Sequence, residues 1–152
     1  MKELGSYLEQ EVLVKGWVYR IRRLSQVTFL ILRDRTGMVQ VVVDPDLIAD
    51  VHLTTESVVE IQGSVKPEPR SRVGYELVAG RIEVLSLAEN LPININGAEL
   101  NVPLDIALDN RVLSLRHTKI NPIFKIQAAL VQAFQDFLNQ EGFVQVFTPK
   151  IV

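Results

Sequence analysis

The chain has 152 residues, 47% of them hydrophobic and 22% charged, with a formal net charge of −2. This balance excludes a disordered chain and suits one medium domain, or a small domain with an appendage. Cysteine is absent, which excludes disulfides and thiolate metal sites, and His52 and His117 lie too far apart in the chain to suggest zinc.

The N-terminus, MKELGSYLEQEV, lacks the apolar stretch of a secretory signal, and no run approaches the ~18 apolar residues of a membrane span. A soluble, cytoplasmic protein with no membrane partner is expected. Residues 12–23, VLVKGWVYRIRR, read as a strand, and Gly16 within it predicts a bend or bulge. Residues 27–33, VTFLILR, and 38–43, MVQVVV, read as two more strands joined by a turn at RDRTG. Pairing Leu32 with Gly37 across a four-residue loop puts Leu30 opposite Val39, facing the core. The same register puts Phe29 opposite Gln40 on the other face, toward solvent or a ligand.

Asp44 and Pro45 predict the start of a short helix over 44–54. Residues 57–65, SVVEIQGSV, alternate as a fourth strand. A loop rich in proline and basic residues, KPEPRSRVG, leads to a fifth strand over 74–86, with a break near Ala79-Gly80. Three strands, a short helix and two more strands is the order of a five-stranded OB-fold barrel. The predicted class is therefore mostly β, with residues 1–87 as the barrel domain.

Residues 88–122 contain three prolines and no strong period, and read as a hinge or linker. Asn121 as N-cap and Pro122 at the first position predict a helix over 123–141, with Ile123, Ile126, Leu130, Phe134, Phe137 and Leu138 on one face and Gly142 ending it. VQVF then reads as a strand, so residues 123–152 form a helix and strand that open a further segment.

The charge is uneven. Arg20, Arg22, Arg23, Arg33 and Arg35 are opposed locally by Asp34 alone, and Lys66, Arg70 and Arg72 form a second group. Solvated hairpin ends explain such clusters as readily as a nucleic-acid footprint does, and the acidic total disfavours a general phosphate binder. Phe29 offers a stacking face and Gln40 a donor and an acceptor, with Arg22, Arg20 and Arg33 positioned to meet phosphates. The competing reading makes Phe29 core and Gln40 merely exposed. Glu76 and Glu83 are seven apart on the fifth strand and face opposite ways unless the Ala79-Gly80 step bulges. A carboxylate can accept from a base's amino group, but from the pattern alone a solvated strand face is the favoured account of both. No phosphate-binding, nucleophile-elbow or zinc-protease motif is present, so no catalytic residue is assigned. Asp105 and Asp109 are read as polar groups of the hinge rather than as a catalytic pair.

Several of these strings resemble one family. GWVYRIRR followed by FLILRDRTGMVQVVVDP is similar to the anticodon-binding OB domain of aspartyl-tRNA synthetases, which the asparaginyl enzymes share. LDNRVLSLRH resembles that family's hinge, although Ser114 stands where aspartate is usual. IFKIQAALVQAFQDFLNQEGFVQVFTPKIV resembles the class II motif 1 helix and strand, with Pro149 as its proline. The resemblance implies that Phe29 stacks on the central anticodon base, a uridine, that Gln40 reads it, and that Arg22 contacts the anticodon. It further implies that Arg72, Glu76 and Glu83 lie near the third anticodon base. The implied partner is a tRNA of the Asp or Asn type. Motif 1 implies a homodimer through residues 123–150, with Phe134, Phe137 and Pro149 at the interface. ATP and magnesium are implied for the longer parent enzyme, whose motifs 2 and 3 lie beyond Val152. The 152 residues are expected to recognise tRNA without aminoacylating it. A free-standing single-stranded nucleic-acid module and a dimerisation module are the alternatives.

Overall fold

The computed structural model describes residues 1–149. The chain divides into two compact units, Met1–Leu91 and the part from Pro92 onward.

In the first unit, β1 (Glu11–Arg23), β2 (Thr28–Arg33), β3 (Met38–Val43), β4 (Val58–Pro67) and β5 (Tyr75–Ser86) close a barrel in the order β1-β2-β3-β5-β4. Only the β3–β5 pair is parallel. Alternation drives the closure: Thr28, Leu30 and Leu32 of β2 and Val39, Val41 and Val43 of β3 point inward and are buried. They meet Val18, Val59, Ile61, Val65 and Leu77 in one core.

β1 serves two neighbours. Residues from Glu11 to Trp17 pair with β4, and those from Trp17 to Arg23 pair with β2. Gly16 sits at the changeover, where an added Cβ would lie 2.6 Å from the Arg33 carbonyl oxygen. The glycine therefore permits close approach, and the bulge predicted around it falls instead at Tyr19, between Val18 and Arg20. The break predicted near Ala79-Gly80 is a bulge at Gly80, since Gln62 pairs with Arg81 while Gly63 pairs with Ala79.

The β2–β3 hairpin differs from expectation by two residues. Arg33 pairs with Met38, Leu30 with Val41, and Phe29 with Val42 rather than with Gln40. Asp34 is the reason. Its N–H donates to the Gly37 carbonyl at 3.0 Å, and its Oδ1 accepts from the backbone N–H groups of Thr36 (2.7 Å) and Gly37 (2.8 Å). The four-residue loop is thus 34–37, one position later than predicted. Burial pushes the Asp34 carboxyl up. Hydrogen bonds from the N-terminal ammonium, the Thr36 hydroxyl and the two backbone N–H groups outweigh it and hold the group below the usual carboxylate range. An offset of two preserves the faces, so Phe29 and Gln40 still share the outward side.

The helix predicted over 44–54 is a single 3-10 turn, Pro45–Ile48, capped by Asp44 accepting from the Asp46 N–H at 3.0 Å. Ile48 and Leu53 both enter the barrel core, and a continuous α-helix would turn residues five apart to different sides.

In the second unit, the stretch read as an aperiodic hinge holds two short helices, α1 (Leu104–Asp109) and α2 (Arg111–Ser114). Asp105 and Asp109 lie on α1, contrary to the non-helical reading. Buried Ser114 donates its hydroxyl to the carbonyls of Ala107 (2.9 Å) and Arg111 (3.3 Å), tying α2 to α1. An ionised aspartate could not make these donations. The long helix, α3 (Asn121–Gln140), has Pro122 in its first turn. Asn121 is not its cap; Ile120 is, and the Asn121 amide donates to the Leu115 carbonyl at 3.3 Å. Gly142 ends the helix as predicted, taking φ +86°, and the N–H groups of Phe143 and Gly142 bond back to the carbonyls of Leu138 (3.0 Å) and Asn139 (3.1 Å). The strand predicted at VQVF is not formed, because residues 143–149 have no sheet neighbour among the described residues to complete a ladder. The end of the TPKIV string, from Lys150, lies outside the described residues.

Gly16→Ala is expected to lower unfolding free energy by about 1–3 kcal/mol, since the new methyl must displace β2 backbone rather than a side chain. A urea midpoint equal to that of the unsubstituted protein would contradict the close approach.

Candidate nucleic-acid interface

The outward face of β1, β2, β3 and the start of β5 carries two cross-strand rows. In the first, Arg22 lies opposite Phe29, Phe29 opposite Val42, and Val42 opposite Val78. In the second, Arg20 lies opposite Ile31 and Ile31 opposite Gln40. Gln40 Nε2 then donates to Glu76 Oε2 at 2.9 Å across the parallel β3–β5 pair. Directly opposed side chains on one face touch, so each row is a contiguous strip.

Phe29, Ile31, Gln40, Val42 and Glu76 are half-buried, while Arg20, Arg22 and Val78 are exposed. The centre of the face is therefore an apolar platform with a polar reading edge at Gln40 and Glu76. The arginines stand at the opposite edge. The Arg20 guanidinium carbon lies 6.0 Å from the centre of the Tyr19 ring. Such a surface can stack a flat ring on Phe29, hydrogen-bond its edge through Gln40, and attract phosphate through Arg20 and Arg22.

Two of the candidate residues lie elsewhere. The bulge at Gly80 does let Glu76 and Glu83 both face outward, but Glu83 lies opposite Glu60, beside the Lys15–Glu60 ion pair (2.6 Å), and itself pairs with Arg81 at 3.3 Å. The hydrogen bond that the Lys15 ammonium donates to Glu60, then the Glu60 charge, holds the ammonium above its usual range. That cluster forms a separate sector on β1, β4 and the second half of β5. Arg72 is exposed in the 68–74 loop, which is closed by the Glu68 backbone N–H donating to the Gly74 carbonyl at 3.0 Å and feeds through Tyr75 into Glu76.

Arg33 requires a correction. Expected to meet phosphates, it instead donates from Nη2 to Glu56 Oε2 at 2.8 Å, with the two side chains 13% and 3% exposed. Its guanidinium also lies 5.5 Å from the centre of the Tyr19 ring. This removes Arg33 from the solvent-facing cations. Glu56 went unnoticed in the sequence, because a glutamate in a polar loop after two threonines reads as solvated. It is buried and holds φ +67°. The apolar members of the platform, Ile31, Val42 and Val78, were also missed. The unbroken runs FLIL and VVV are the signal, since strands apolar on both sides need cover on both faces.

In the second unit, Phe134 is 61% and Phe137 58% exposed, and Ile123, Ile126 and Leu130 of α3 are exposed too. Pro149 is likewise exposed. Among the described residues no group of three or more His, Asp or Glu could hold a metal ion.

Glu56→Ala is expected to cost about 3–5 kcal/mol by leaving the Arg33 cation buried without its counter-charge. Thermal unfolding reads it, and a loss under 1 kcal/mol, the scale of an exposed pair, would contradict this assignment.

Residues 12–85 match the OB-fold nucleic acid binding domain of anticodon-binding type, and residues 103–152 match the class II tRNA synthetases (D, K and N). The chain is 41% identical to the aspartate–tRNA(Asp/Asn) ligase of Sulfurisphaera tokodaii, an alignment that covers 96% of this chain and 35% of that protein. It is 36% identical to the asparagine–tRNA ligase of Desulforamulus reducens, over 99% of this chain and 35% of the relative. The crystal structure of asparaginyl-tRNA synthetase from Pyrococcus horikoshii superposes with a TM-score of 0.81 at 30% identity, covering 95% of this chain and 34% of that one. The chain thus spans about a third of the length of these relatives.

Proposed function

We propose that this chain, which belongs to the aspartyl- and asparaginyl-type class II tRNA synthetases, grips the anticodon loop of a tRNA of the Asp or Asn type with the outward face of its barrel. The observation that carries the reading is the pair of rows joining Arg22, Phe29, Gln40 and Glu76 from four strands on one face. Phe29 stacks on the central base, Gln40 reads its edge, and Arg22 and Arg20 meet the flanking phosphates. Arg72, on the loop that enters β5, reaches toward the neighbouring base. Glu83 and Arg33 have no part in this contact, the one lying in another sector and the other held by Glu56.

The whole protein on this reading joins aspartate or asparagine to tRNA at the expense of ATP with magnesium. These residues contribute recognition, and no step of the ligation is assigned to them. No helix among the described residues is long and apolar enough to cross a membrane, and a cytoplasmic location is part of the proposal.

Phe29→Ala is expected to weaken binding of an anticodon stem-loop by ~1–3 kcal/mol, the range for losing one stacked base. Filter binding measures it. Unchanged affinity, or homopolymer RNA bound as tightly as the stem-loop, would count against the reading.

The apolar face of α3 is proposed as a self-association surface within residues 123–150, because five exposed large side chains in one helical stripe leave water poorly accommodated. Sedimentation of the full chain should give a dimer, and Phe134→Asp with Phe137→Asp a monomer. A monomeric unsubstituted chain at micromolar concentration would reject that surface.

A further inference from the structure

We infer that the loop between β3 and β4 is a strap that couples the outward face of the barrel to the point where the chain leaves it, at Ala88, and that Thr54 and Ser57 are the positioning residues there. The coupling takes its ligand from the anticodon reading above. The strap itself is a property of the barrel.

A closed ring of hydrogen bonds holds Ala88. Its N–H donates to Ser57 Oγ at 3.1 Å, and the Thr54 hydroxyl donates to its carbonyl at 2.6 Å. The two hydroxyl oxygens lie 2.9 Å apart. Each hydroxyl has one hydrogen and a carbonyl has none, so the Thr54 hydrogen goes to Ala88. The Ser57 hydroxyl must then donate to Thr54. Every bond in the ring runs the same way round, and bonds so chained reinforce one another. Ser57 is 1% exposed, which keeps water from competing. A turn brings the two hydroxyls together: the Ser57 N–H donates to the Thr54 carbonyl at 3.3 Å, with Glu56 at φ +67° in the third position. Ala88 itself lies two residues past Ser86, the last paired residue of β5.

Two arginines tie the same loop to the strands that carry the outward face. Arg33 Nη2 donates to Glu56 Oε2 at 2.8 Å, and Arg23 Nη2 donates to the Leu53 carbonyl at 3.1 Å. They stand at opposite ends of the β1–β2 pair, since Arg23 lies opposite Thr28 and Arg33 opposite Trp17. Arg20, Arg22, Phe29 and Ile31 all fall between the two ties. The Leu53 side chain is anchored in the barrel core, so the loop is fixed from within as well.

A ligand that orders those four residues limits the excursions of both strands. The ties pass that restriction to residues 53–57, and the ring passes it to Ala88. Coupling of this kind needs no change of mean structure, only a shared loss of mobility.

Amide hydrogen exchange of the full chain tests this, with an anticodon stem-loop as the ligand. In the free protein the Ala88 amide should be protected, and Ser57→Ala should speed its exchange by about three- to tenfold, the scale of one lost hydrogen bond. Saturating stem-loop should slow Ala88 exchange by about fivefold or more. Arg23→Met cuts one tie and leaves the Arg33–Glu56 pair and the ring in place. It should keep the protection in the free protein and lose most of the slowing on binding. The Leu30 amide, in the core, reports whole-barrel unfolding, so equal slowing there in both proteins separates the coupling from general stabilisation. An Ala88 amide that is unprotected, or indifferent to Ser57→Ala, overturns the ring and the strap with it. Exchange at Ala88 unchanged by bound stem-loop, or slowed as much in Arg23→Met, overturns the coupling and leaves the anticodon reading standing. Failure of the unsubstituted, cooperatively melting protein to bind the stem-loop overturns the anticodon reading and the coupling with it.

Discussion

The buried Arg33–Glu56 pair is the constraint around which the barrel and its outward face are arranged. It lies where β1 leaves β4 and joins β2. There the Glu56 N–H donates to the Val18 carbonyl at 2.7 Å and the Val18 N–H to the Ser57 carbonyl at 2.9 Å, so the chain entering β4 is stitched beneath β1. Glu56 holds a left-handed backbone to do this, which is unfavourable for a residue other than glycine. Its carboxylate is fixed by Arg33, whose own carbonyl presses on Gly16. Burying both charges has a large desolvation cost, and a pair of this kind is better understood as specifying one arrangement than as adding stability. The arrangement it specifies is the end of β2. With Arg33 held, Ile31 and Phe29 fall outward in turn, and the platform follows.

The turn at Asp34 completes that specification from the other side. A slip of one residue in the β2–β3 hairpin would send Phe29 and Gln40 inward and Leu30 outward. Asp34 prevents it by gathering both loop N–H groups and the N-terminal ammonium onto one carboxylate. The two devices, one buried and one at the loop, clamp opposite sides of Arg33. Neither touches the proposed ligand, yet both decide which side chains can.

The sequence made the face legible and the register illegible. Alternation in VTFLILR and MVQVVV assigns Phe29 and Gln40 to one side whatever the loop, because side-chain period is two. Which residues stand opposite one another depends on where the turn closes. That was set by hydrogen bonds to Asp34, which no periodicity encodes. The Gly80 bulge was readable, since glycine inside a strand has few other uses. Gly16 was read for the wrong reason: a close approach and a bulge leave the same signature in one sequence. The failures in the second unit share a cause. Asn121 was an apt cap and VQVF an apt strand by composition, but a cap is decided by the residues before it. A strand is decided by its neighbour. Arg33 failed differently, because its buried partner Glu56 is remote in sequence and resembles any solvated loop acid.

The net charge of −2 disfavours RNA until the charges are sorted by sector. Glu60 and Glu83 lie with Lys15 and Arg81 on the part of the barrel formed by β1, β4 and the end of β5, while Arg20 and Arg22 border the platform. Over the roughly 8 Å that fields extend at physiological salt, a ligand on the platform senses its own border more than the total. Two arginines are nonetheless few for a protein that binds by phosphate contacts alone. The face invests instead in an apolar strip of Phe29, Ile31, Val42 and Val78 and in one oriented amide. An interface so composed gains little from the backbone that all RNAs share. It depends on a base that is already turned out to stack, which a constrained loop presents and a flexible strand does not. The weak charge, which first argued against a nucleic-acid partner, therefore argues for a selective one.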